Sequence, residues 1–298
     1  MKKNILISGG TGFIGTAFIE SLDQEKFNIH VIVRNSSNIY FKRNVIKHFY
    51  SNNYKSIKKI FEKYDIDYVI HFATLFITEH KENEIEKLVD SNITLGLRIL
   101  EAMKNHNVKL FINTSSSWQY FDTHNDNYKP TNLYASTKTA FEKILDYYCY
   151  SHEFVSHTLI IYDTYGPNDK RGKIIPYLIK NYHNNITIEM SPGNQKLSFV
   201  HIDDIVDAFH IVIKDSLTKK SGHYKYKLNS DENYSLKQVV NMMNSVSKMN
   251  LKVNWGGREY KKREVMFPWQ KGKRLPGWTP KINLRNGLKD LINQIEKK

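Results

Sequence analysis

Near its N-terminus the chain reads Ile5-Leu6-Ile7-Ser8-Gly9-Gly10-Thr11-Gly12-Phe13-Ile14-Gly15. The first four residues predict a buried strand, and the G-x-x-G-x-x-G spacing predicts a turn into a helix that ends near Leu22. Gly9 permits the tight turn, Gly12 lets a pyrophosphate approach the backbone, and Gly15 lets the helix pack against the strand. Because a helix N-terminus also attracts phosphate, this segment predicts a dinucleotide-binding unit.

Beyond this segment, short apolar runs alternate with longer amphipathic stretches, as in a parallel sheet with helices on both faces. We predict an α/β fold, a Rossmann-type doubly wound parallel sheet with a smaller mixed α/β C-terminal substrate lobe. The predicted strands are 4–8, 29–33, 68–72, 110–113, 156–161 and 199–202, and the predicted helices include 12–22, 54–64, 85–106 and 133–152. The dinucleotide domain is assigned to residues 1–165, with 196–214 returning to it, and the lobe to 166–195 and 215–298.

The end of the second predicted strand carries Arg34, 19 residues after Gly15, and Asn35 follows it. An acidic residue at this place binds the ribose hydroxyls of NAD, whereas a guanidinium is suited to the 2′-phosphate of NADP. The sequence therefore favours NADP(H) over NAD. The alternative is an exposed arginine with no ligand.

Two further groups of residues predict proton-transfer chemistry. Tyr134 and Lys138 are four residues apart, so they share one face of a predicted helix, and an ammonium near a phenol favours its ionised form. The hydroxyl run 114–117 follows the fourth predicted strand, at the sheet edge where ligands bind in doubly wound folds. A phenol with a second hydroxyl is suited to acid–base work at an alcohol or ketone carbon.

The composition restricts the partners. The 44 Lys plus Arg and 30 Asp plus Glu give a net charge of +14, concentrated in residues 41–63 and 258–274. Neither patch carries a nucleic-acid-reading motif, and a phosphorylated small molecule suits such surfaces equally, so we expect neither nucleic acid nor a membrane as partner. No apolar run is long enough to span a bilayer. The single Cys149 permits no disulfide and no multi-cysteine zinc site, and with no signal-peptide pattern after Met1 we expect a cytoplasmic protein without a metal.

Taken in order, these features resemble the extended short-chain dehydrogenase/reductases of the nucleotide-sugar epimerase/dehydratase/reductase group. The resemblance covers nearly the whole chain, and the matching residues are 9–15, His71-Phe72-Ala73, Asn92, Thr114-Ser115-Ser116, Tyr134 with Lys138, Tyr165-Gly166-Pro167 and Phe199-Val200-His201-Ile202-Asp203-Asp204. It implies that Tyr134 is the acid/base, that Lys138 holds the nicotinamide ribose and lowers the pKa of Tyr134, and that Ser116 orients the sugar oxygen. Asn92 supports the architecture of the site.

The resemblance also supplies candidate binding residues. Those for the cofactor are Gly9, Thr11, Gly12, Phe13, Ile14, Gly15, Arg34, Asn35, Ala73, Asn92, Tyr134 and Lys138. Those for the nucleotide-diphosphate sugar are Thr74, Ser116, Ser117, Asp163, Lys196, Arg258 and Arg263. Two of these depart from the group: Lys196-Leu197-Ser198 stands where many relatives carry an Arg-Asp pair, and Asp163 stands where relatives often have Asn.

Other departures from the group narrow the choice of reactions. Dehydratases of the group carry an Asp-Glu pair after the catalytic hydroxyl, where this chain has Ser117-Trp118, and Cys149 is not placed as in the fucose-synthase type. What remains is reduction with NADPH or epimerisation with retained NAD, and Arg34 favours reduction. The stretch from Arg263 to Pro280 loosely resembles the CDP-3,6-dideoxyhexose synthases of abequose and paratose type, which reduce a 4-keto sugar.

We therefore predict an NADPH-dependent 4-keto reductase of a nucleotide-diphospho-deoxysugar, in the biosynthesis of a surface polysaccharide such as lipopolysaccharide O-antigen. The alternatives are an NAD-retaining epimerase and, in another class, a non-catalytic nucleotide sensor or RNA-binding derivative. A homodimer joined through helices 85–106 and 133–152 is expected, because the second helix carries a surplus of apolar and aromatic residues, namely Phe141, Ile144, Leu145, Tyr147 and Tyr148.

Overall fold

A computed structural model of the protein describes residues 1–34, 40–215, 219–247 and 250–296. Its strands are β1 (Lys3–Ser8), β2 (Phe27–Arg34), β3 (Ile46–Tyr50), β4 (Ile66–His71), β5 (Leu110–Ser116), β6 (Val155–Ile161), β7 (Asp163–Tyr165), β8 (Ile188–Met190), β9 (Lys196–Leu197), β10 (Phe199–His201), β11 (Gly222–Leu228), β12 (Tyr234–Ser235) and β13 (Val253–Trp255). Its α-helices are α1 (Phe13–Ser21), α2 (Tyr54–Lys63), α3 (Ile85–Val89), α4 (Leu95–Met103), α5 (Leu133–His152), α6 (Ile174–His183), α7 (Ile202–Asp215), α8 (Leu236–Val246) and α9 (Leu284–Glu296). Within these residues, no helix is both long and apolar enough to cross a membrane.

The central sheet has seven described strands in the order β11-β6-β5-β4-β1-β2-β3, and every neighbouring pair is parallel. The chain moves outward from β1 to β3, then crosses back to β4 on the other side of β1. This reversal opens a crevice between the carboxyl ends of β1 and β4, which is where ligands bind in doubly wound folds. The predicted Rossmann-type fold is confirmed.

Both faces of the sheet are covered by helices. On one face, Phe18 of α1 packs against Phe72 and against Phe209 of α7, with ring centroids 5.5 Å apart in each pair. On the other face, residues of α2, α4 and α5 bury the opposite side chains of the same strands, among them Phe111 against Phe141. These two layers hold the carboxyl edge of the sheet in place.

A third apolar cluster forms the lobe. It joins α6, α8 and α9 through residues such as Leu178, Val239 and Leu288, and it includes Tyr165 and Phe199 of the small parallel pair β7 and β10. The predicted strand at 199–202 thus pairs with β7 rather than with the central sheet. The two remaining strand pairs of the lobe are β8 with β13 and β9 with β12.

Both edge strands of the central sheet were missed by the sequence analysis. Ile46–Tyr50 and Gly222–Leu228 are rich in Lys, His and Tyr, so they lack the apolar run typical of a buried parallel strand. β11 pairs with β6 over its whole length, although residues 215–298 were assigned to the lobe. The seventh strand of the sheet therefore comes from the C-terminal part of the chain.

The predicted helix at 85–106 is interrupted. A π turn at Asp90–Thr94 separates α3 from α4, because the backbone N–H of Leu95 donates to the carbonyl of Asp90, five residues earlier. The fully buried Asn92 lies in this wide turn. Such turns are frequent at functional sites, and this one faces the crevice described below.

The apolar surplus predicted on α5 is only partly exposed. Phe141, Leu145 and Tyr148 are buried in the core beneath the helix, and they do not face solvent. Tyr147 and Tyr150 are the exposed aromatic residues of this helix, at 59% and 92%. Three residues predicted to lie on the surface of α5 are therefore core residues, because the helix lies close against the sheet.

Candidate active site

The glycine loop follows β1 and starts α1. Gly9 has a positive φ of +71°, and a Cβ there would collide with the backbone of Ala73 after β4. A Cβ on Gly15 would collide with the carbonyl of Gly9, so the loop folds back tightly on the helix. The N–H of Gly12 donates to Gly9 at 3.0 Å, and α1 begins at Phe13. The loop is a close-packed backbone cradle at a helix N-terminus, as phosphate binding requires.

Ser8 and His71 fix the floor of the crevice. Ser8 Oγ lies 2.7 Å from His71 Nδ1, and both residues are fully buried at the ends of β1 and β4. Burial lowers the pKa of His71 to about 3, so its ring is neutral at ordinary pH. The Ala73 N–H reaches Ser8 Oγ at 3.5 Å, which places the loop carrying Thr74 over the crevice.

Tyr134 lies in the first turn of α5, facing this loop. The helix starts at Asn132, whose side chain accepts from Ala135 N–H at 2.9 Å and donates to the Thr78 carbonyl at 3.1 Å. The hydroxyls of Ser116 and Thr74 lie close enough to the phenol of Tyr134 to act on its pKa. The structure thus brings together the three hydroxyl residues that the sequence assigned to the site.

The environment of Tyr134 favours the protonated phenol. Burial is the largest influence and raises its pKa to about 12, while Ser116, Thr74 and the positive charge of Arg171 act in the opposite direction. The phenol is therefore a proton donor at neutral pH. The cation that lowers the pKa of Tyr134 in this structure is Arg171, whereas the sequence analysis assigned this effect to Lys138.

Lys138 is 1% exposed, and its Nζ has no hydrogen-bond partner in the described part of the chain. Burial lowers its pKa to about 8, and the charge of Glu142 one helical turn further on acts in the opposite direction. A buried ammonium without a partner is costly, so it indicates a place for a polar group of a ligand.

Glu142 is fully buried and well bonded. Its carboxylate accepts from Gln119 Nε2 at 2.9 Å and from the Tyr128 hydroxyl at 2.6 Å, and it also accepts from the Ser115 hydroxyl. Lys225 of β11 approaches it to 3.3 Å. The buried negative charge next to Lys138 is therefore held by β5, by the loop 120–132 and by the edge strand that the sequence analysis missed.

Both polar atoms of the Asn92 side-chain amide form hydrogen bonds with other residues of the chain. Its Oδ1 accepts from Thr74 Oγ1 at 3.0 Å and from Leu75 N–H at 2.7 Å, and its Nδ2 donates to the Leu75 carbonyl at 3.1 Å and to Thr137 Oγ1 at 2.9 Å. Asn92 thus fastens the loop after β4 to α5. This geometry gives it a positioning role rather than the cofactor contact assigned from the sequence.

The residues present fit a dinucleotide. The glycine loop leaves no room for a Cβ but exposes a helix N-terminus, and the unpartnered Lys138 Nζ lies along the same crevice. Arg34 is exposed at the carboxyl end of β2, in register with Tyr50 of β3. Asn35, the other residue assigned to the adenosine end, lies outside the described residues.

Lys173 was not identified from the sequence. Its Nζ lies 4.0 Å from the ring centroid of Phe76 and 4.9 Å from that of Trp118, and 3.9 Å from the carboxylate of Asp163. Phe76 in turn packs edge-on against Tyr134, at 5.0 Å. Burial lowers the pKa of Lys173 and raises that of Asp163. An aromatic cluster with one lysine therefore adjoins the reactive hydroxyls, next to the turn that Ser117 begins.

Arg171 also escaped the sequence analysis. Asp169 accepts from its Nε and Nη2, each at 2.8 Å, and the Thr164 carbonyl accepts from Nη2 at 2.8 Å. The guanidinium lies over the ring of Phe13, with 4.3 Å between its carbon and the ring centroid. A loop cation gives no sequence signal that distinguishes it from a surface residue.

The other assigned substrate residues lie apart from one another. Lys196 is exposed, lies over Phe267 and borders a cavity of about 330 Å³. Arg263 stacks on Phe121 at 4.5 Å and donates to the Lys129 carbonyl.

Lys261 forms a 3.0 Å ion pair with Glu79 and lowers the pKa of its carboxyl group. The charge of Arg258 lowers this pKa as well. This ion pair joins the C-terminal segment to the loop after β4.

Comparisons with known proteins agree with this architecture. Two CDP-abequose synthases, from Salmonella muenchen and Yersinia pseudotuberculosis, are 28% and 29% identical to this chain, over 99% of it and 99% of each relative. A UDP-glucose 4-epimerase from Thermotoga maritima, solved with UDP-glucose, has a similar fold with a TM-score of 0.84 at 20% identity, covering 99% of both chains. The Bifidobacterium longum UDP-glucose 4-epimerase, solved with NAD⁺ and UDP, also gives a TM-score of 0.84, at 19% identity and 99% coverage of both chains.

The model of the NAD dependent epimerase/dehydratase family matches residues 5–226. This match includes the glycine loop, the Tyr134 and Lys138 pair, and all seven strands of the central sheet except the first two residues of β1 and the last two of β11. The chain therefore belongs to the NAD-dependent epimerase/dehydratase family, whose members act in nucleotide-sugar metabolism.

Proposed function

We propose that the protein is an NADPH-dependent reductase of a 4-keto nucleotide-diphospho-deoxysugar. The observation that carries the proposal is the buried, protonated Tyr134 phenol, which lies near the hydroxyls of Ser116 and Thr74 and packs edge-on against Phe76. A neutral phenol next to a second hydroxyl is suited to giving its proton to a carbonyl oxygen. NADPH, when bound, supplies the hydride to the carbonyl carbon.

In this reaction each of four residues has its own role. Tyr134 donates its proton to the reacting oxygen, and Ser116 donates a hydrogen bond that stabilises the charge developing there. Lys138 binds the hydroxyls of the nicotinamide ribose, which gives its buried Nζ a partner that the described residues do not supply. Arg34 binds the 2′-phosphate of the cofactor.

Reduction is favoured over dehydration by the residues after Ser116. Ser117 and Trp118 form a short turn in which Ser116 Oγ accepts from the Trp118 N–H at 3.3 Å. Neither side chain is a carboxylate, so the acid and base that removal of water needs are not supplied there. The likeness to CDP-abequose synthases over almost the whole chain supports the same reaction class.

The aromatic cluster of Phe76 and Trp118 is suited to a deoxygenated sugar. Phe76 and Trp118 present apolar rings next to Tyr134, and a ring hydroxyl facing them would lose its hydrogen bonds with water. Lys173 lies over both rings and is paired with Asp163, and these two groups would contact the remaining oxygens or the diphosphate.

The test is an assay with a CDP-activated 4-keto-3,6-dideoxyhexose and NADPH. We expect NADPH consumption in proportion to product, which NMR identifies as the 4-hydroxy sugar. No oxidation of NADPH with CDP-, UDP- or dTDP-activated 4-keto sugars would exclude the reductase.

The second candidate is an epimerase that keeps its NAD. It is favoured by a UDP-glucuronate 4-epimerase from Thermodesulfobacterium geofontis, 30% identical over 81% of this chain and 76% of that protein, and by the NAD found in structural neighbours. Such an enzyme would interconvert a UDP-sugar with its 4-epimer without net use of added cofactor. Incubation of UDP-glucose and UDP-glucuronate with the purified protein distinguishes the two activities.

We also propose a homodimer formed through α3, α4 and α5. The outer faces of these helices expose Ile85, Val89, Leu97, Tyr147 and Tyr150. Exposed aliphatic and tyrosine side chains on adjacent helices suit a self-complementary interface with a second copy of the chain. Light scattering at micromolar concentration should give twice the mass of one chain, and Tyr150→Lys should shift the protein to monomer. A monomeric mass for the unmodified protein would refute the dimer.

A further inference from the structure

The loop between β7 and α6 carries a guanidinium that is held in one position. Asp169 binds Nε and Nη2 of Arg171 as a two-point fork, and the Thr164 carbonyl accepts a third hydrogen bond. The Asp169 side chain is 3% exposed, so this clamp is shielded from water. A fork of this kind fixes the plane of the guanidinium, which a single contact would not do.

The guanidinium is placed at the glycine loop. It lies 4.3 Å from the ring centroid of Phe13, the first residue of α1, so its charge lies beside the helix N-terminus. It also lies close enough to Tyr134 for its charge to act on the phenol. Arg171 therefore stands between the phosphate cradle and the reacting hydroxyl.

The remaining donor atom of Arg171 is unused. Within the described part of the chain, no acceptor binds Nη1, and the side chain is 30% exposed. A clamped arginine with two N–H groups directed away from its clamp is suited to bind an anion. The anion that the neighbouring helix N-terminus also attracts is a phosphate group.

We propose that Arg171 binds the diphosphate of the nicotinamide cofactor, opposite the glycine loop, and that Asp169 positions it for this contact. The proposal rests on the cofactor of the proposed function. It makes the loop 166–173, which comes from the substrate side of the crevice, part of the cofactor site. The substrate also carries a diphosphate, but the contact with Phe13 of the glycine loop assigns Arg171 to the cofactor.

Calorimetric titration of the purified protein with three probes tests the proposal. The probes are NADPH, adenosine 2′-monophosphate, which lacks both phosphates of the diphosphate, and CDP, which represents the substrate. Arg171→Gln should weaken NADPH binding about 10- to 100-fold, the range expected for a lost hydrogen-bonded charge pair. Binding of adenosine 2′-monophosphate and of CDP should change less than about twofold. Lys170→Gln is the matched control, since it removes the same charge from an exposed neighbour.

Asp169→Asn separates positioning from simple attraction. It removes a negative charge, so a purely long-range effect would strengthen NADPH binding. If the clamp positions the guanidinium, NADPH binding weakens in spite of the added positive charge, and we expect this result.

Several results would overturn the inference. NADPH binding by Arg171→Gln that equals binding by Lys170→Gln would do so, as would equal losses for all three probes. A loss confined to CDP would assign the residue to the substrate diphosphate instead. Failure of the unmodified protein to bind either NADPH or NADH would overturn the proposed function as well, whereas the preceding results leave it intact.

Discussion

One half of the candidate site consists of the glycine loop and the Tyr134 and Lys138 pair, which come from two short segments, 9–15 and 132–142. The other half consists of residues around them from three segments, 73–79, 163–173 and 258–263, which are far apart in sequence. The first half depends on local geometry: a glycine turn and a helix with residues one turn apart. The second depends on contacts such as Lys173 with Trp118 and Lys261 with Glu79, which exist only once the chain has folded. The spacing of residues along the chain thus predicts the position of the reacting groups. The contacts between distant segments, which are not visible in the spacing, would determine which substrate reacts.

The largest expected effect concerns the reactive phenol. Tyr134→Phe removes the proton donor but keeps the ring, so the turnover number should fall about 10²- to 10⁴-fold while the dissociation constant for NADPH stays nearly unchanged. Steady-state kinetics and cofactor titration measure both quantities. Tyr147→Phe, on the exposed side of the same helix, is the control. Near-normal turnover in a folded Tyr134→Phe protein would contradict the proposed mechanism.

The next effect is on stability and concerns Lys138. Its pKa of about 8 in the folded protein is below the ordinary 10.5. Below about pH 8 both folded and unfolded states carry the proton, and the folded state bears the full cost of burying it. Between about pH 8 and 10.5 the unfolded state binds more protons, so stability rises with pH across this window.

Lys138→Met removes this cost. The variant should be more stable than the unmodified, cofactor-free protein at about pH 7, by up to about 3 kcal/mol, and the difference should disappear near pH 10.5. Urea unfolding at both pH values measures it. A variant that is less stable at neutral pH would show that the ammonium is satisfied by the fold, and the argument for a ligand at Nζ would fail.

A smaller effect is expected at the adenosine end. Arg34→Asp should raise the KM for NADPH about 10- to 100-fold and leave the KM for NADH within a few-fold, because a phosphate contact is made equally in ground and transition states. Initial rates with both cofactors give the ratio. Lys55→Asp, on exposed α2, controls for the change of net charge. Equal efficiency of the unmodified enzyme with NADPH and NADH would contradict the assignment.

The smallest effect is expected within the second half, at the ion pair that joins two of its segments. Lys261 and Glu79 are 38% and 75% exposed, and exposed ion pairs contribute about 0–1 kcal/mol. Glu79→Gln should leave the melting temperature almost unchanged and lower the KM for the nucleotide sugar by up to about fivefold, because Lys261 becomes available to the diphosphate. Glu25→Gln, at the opposite edge of the sheet, should have no effect on KM. A higher KM for Glu79→Gln would mean that the pair shapes the site instead.

The sequence predicted the fold well where the hydrophobic period or the spacing of a few neighbouring residues defines a helix, strand or turn. The strand, glycine turn and helix at 4–22 and the helix carrying Tyr134 lie where expected. β3 and β11 were missed because edge strands need no continuous apolar run, and the lysine of β11 that reaches Glu142 looks like a surface residue in sequence. Among the site residues, Arg171 and Lys173 were missed for a related reason. A cation becomes informative only when Asp169, Thr164 or an aromatic ring is known to lie next to it.

The π turn at Asp90–Thr94 has a consequence for the length of the chain. A π turn holds one more residue than an α turn, so the segment from Ile85 to Met103 is one residue longer than a regular helix between the same ends. Deleting one residue there would let the helix close regularly, but Asn92 would rotate away from Thr74 and Thr137. Insertions and deletions in this segment are therefore constrained by the site, even though the helix itself would tolerate them.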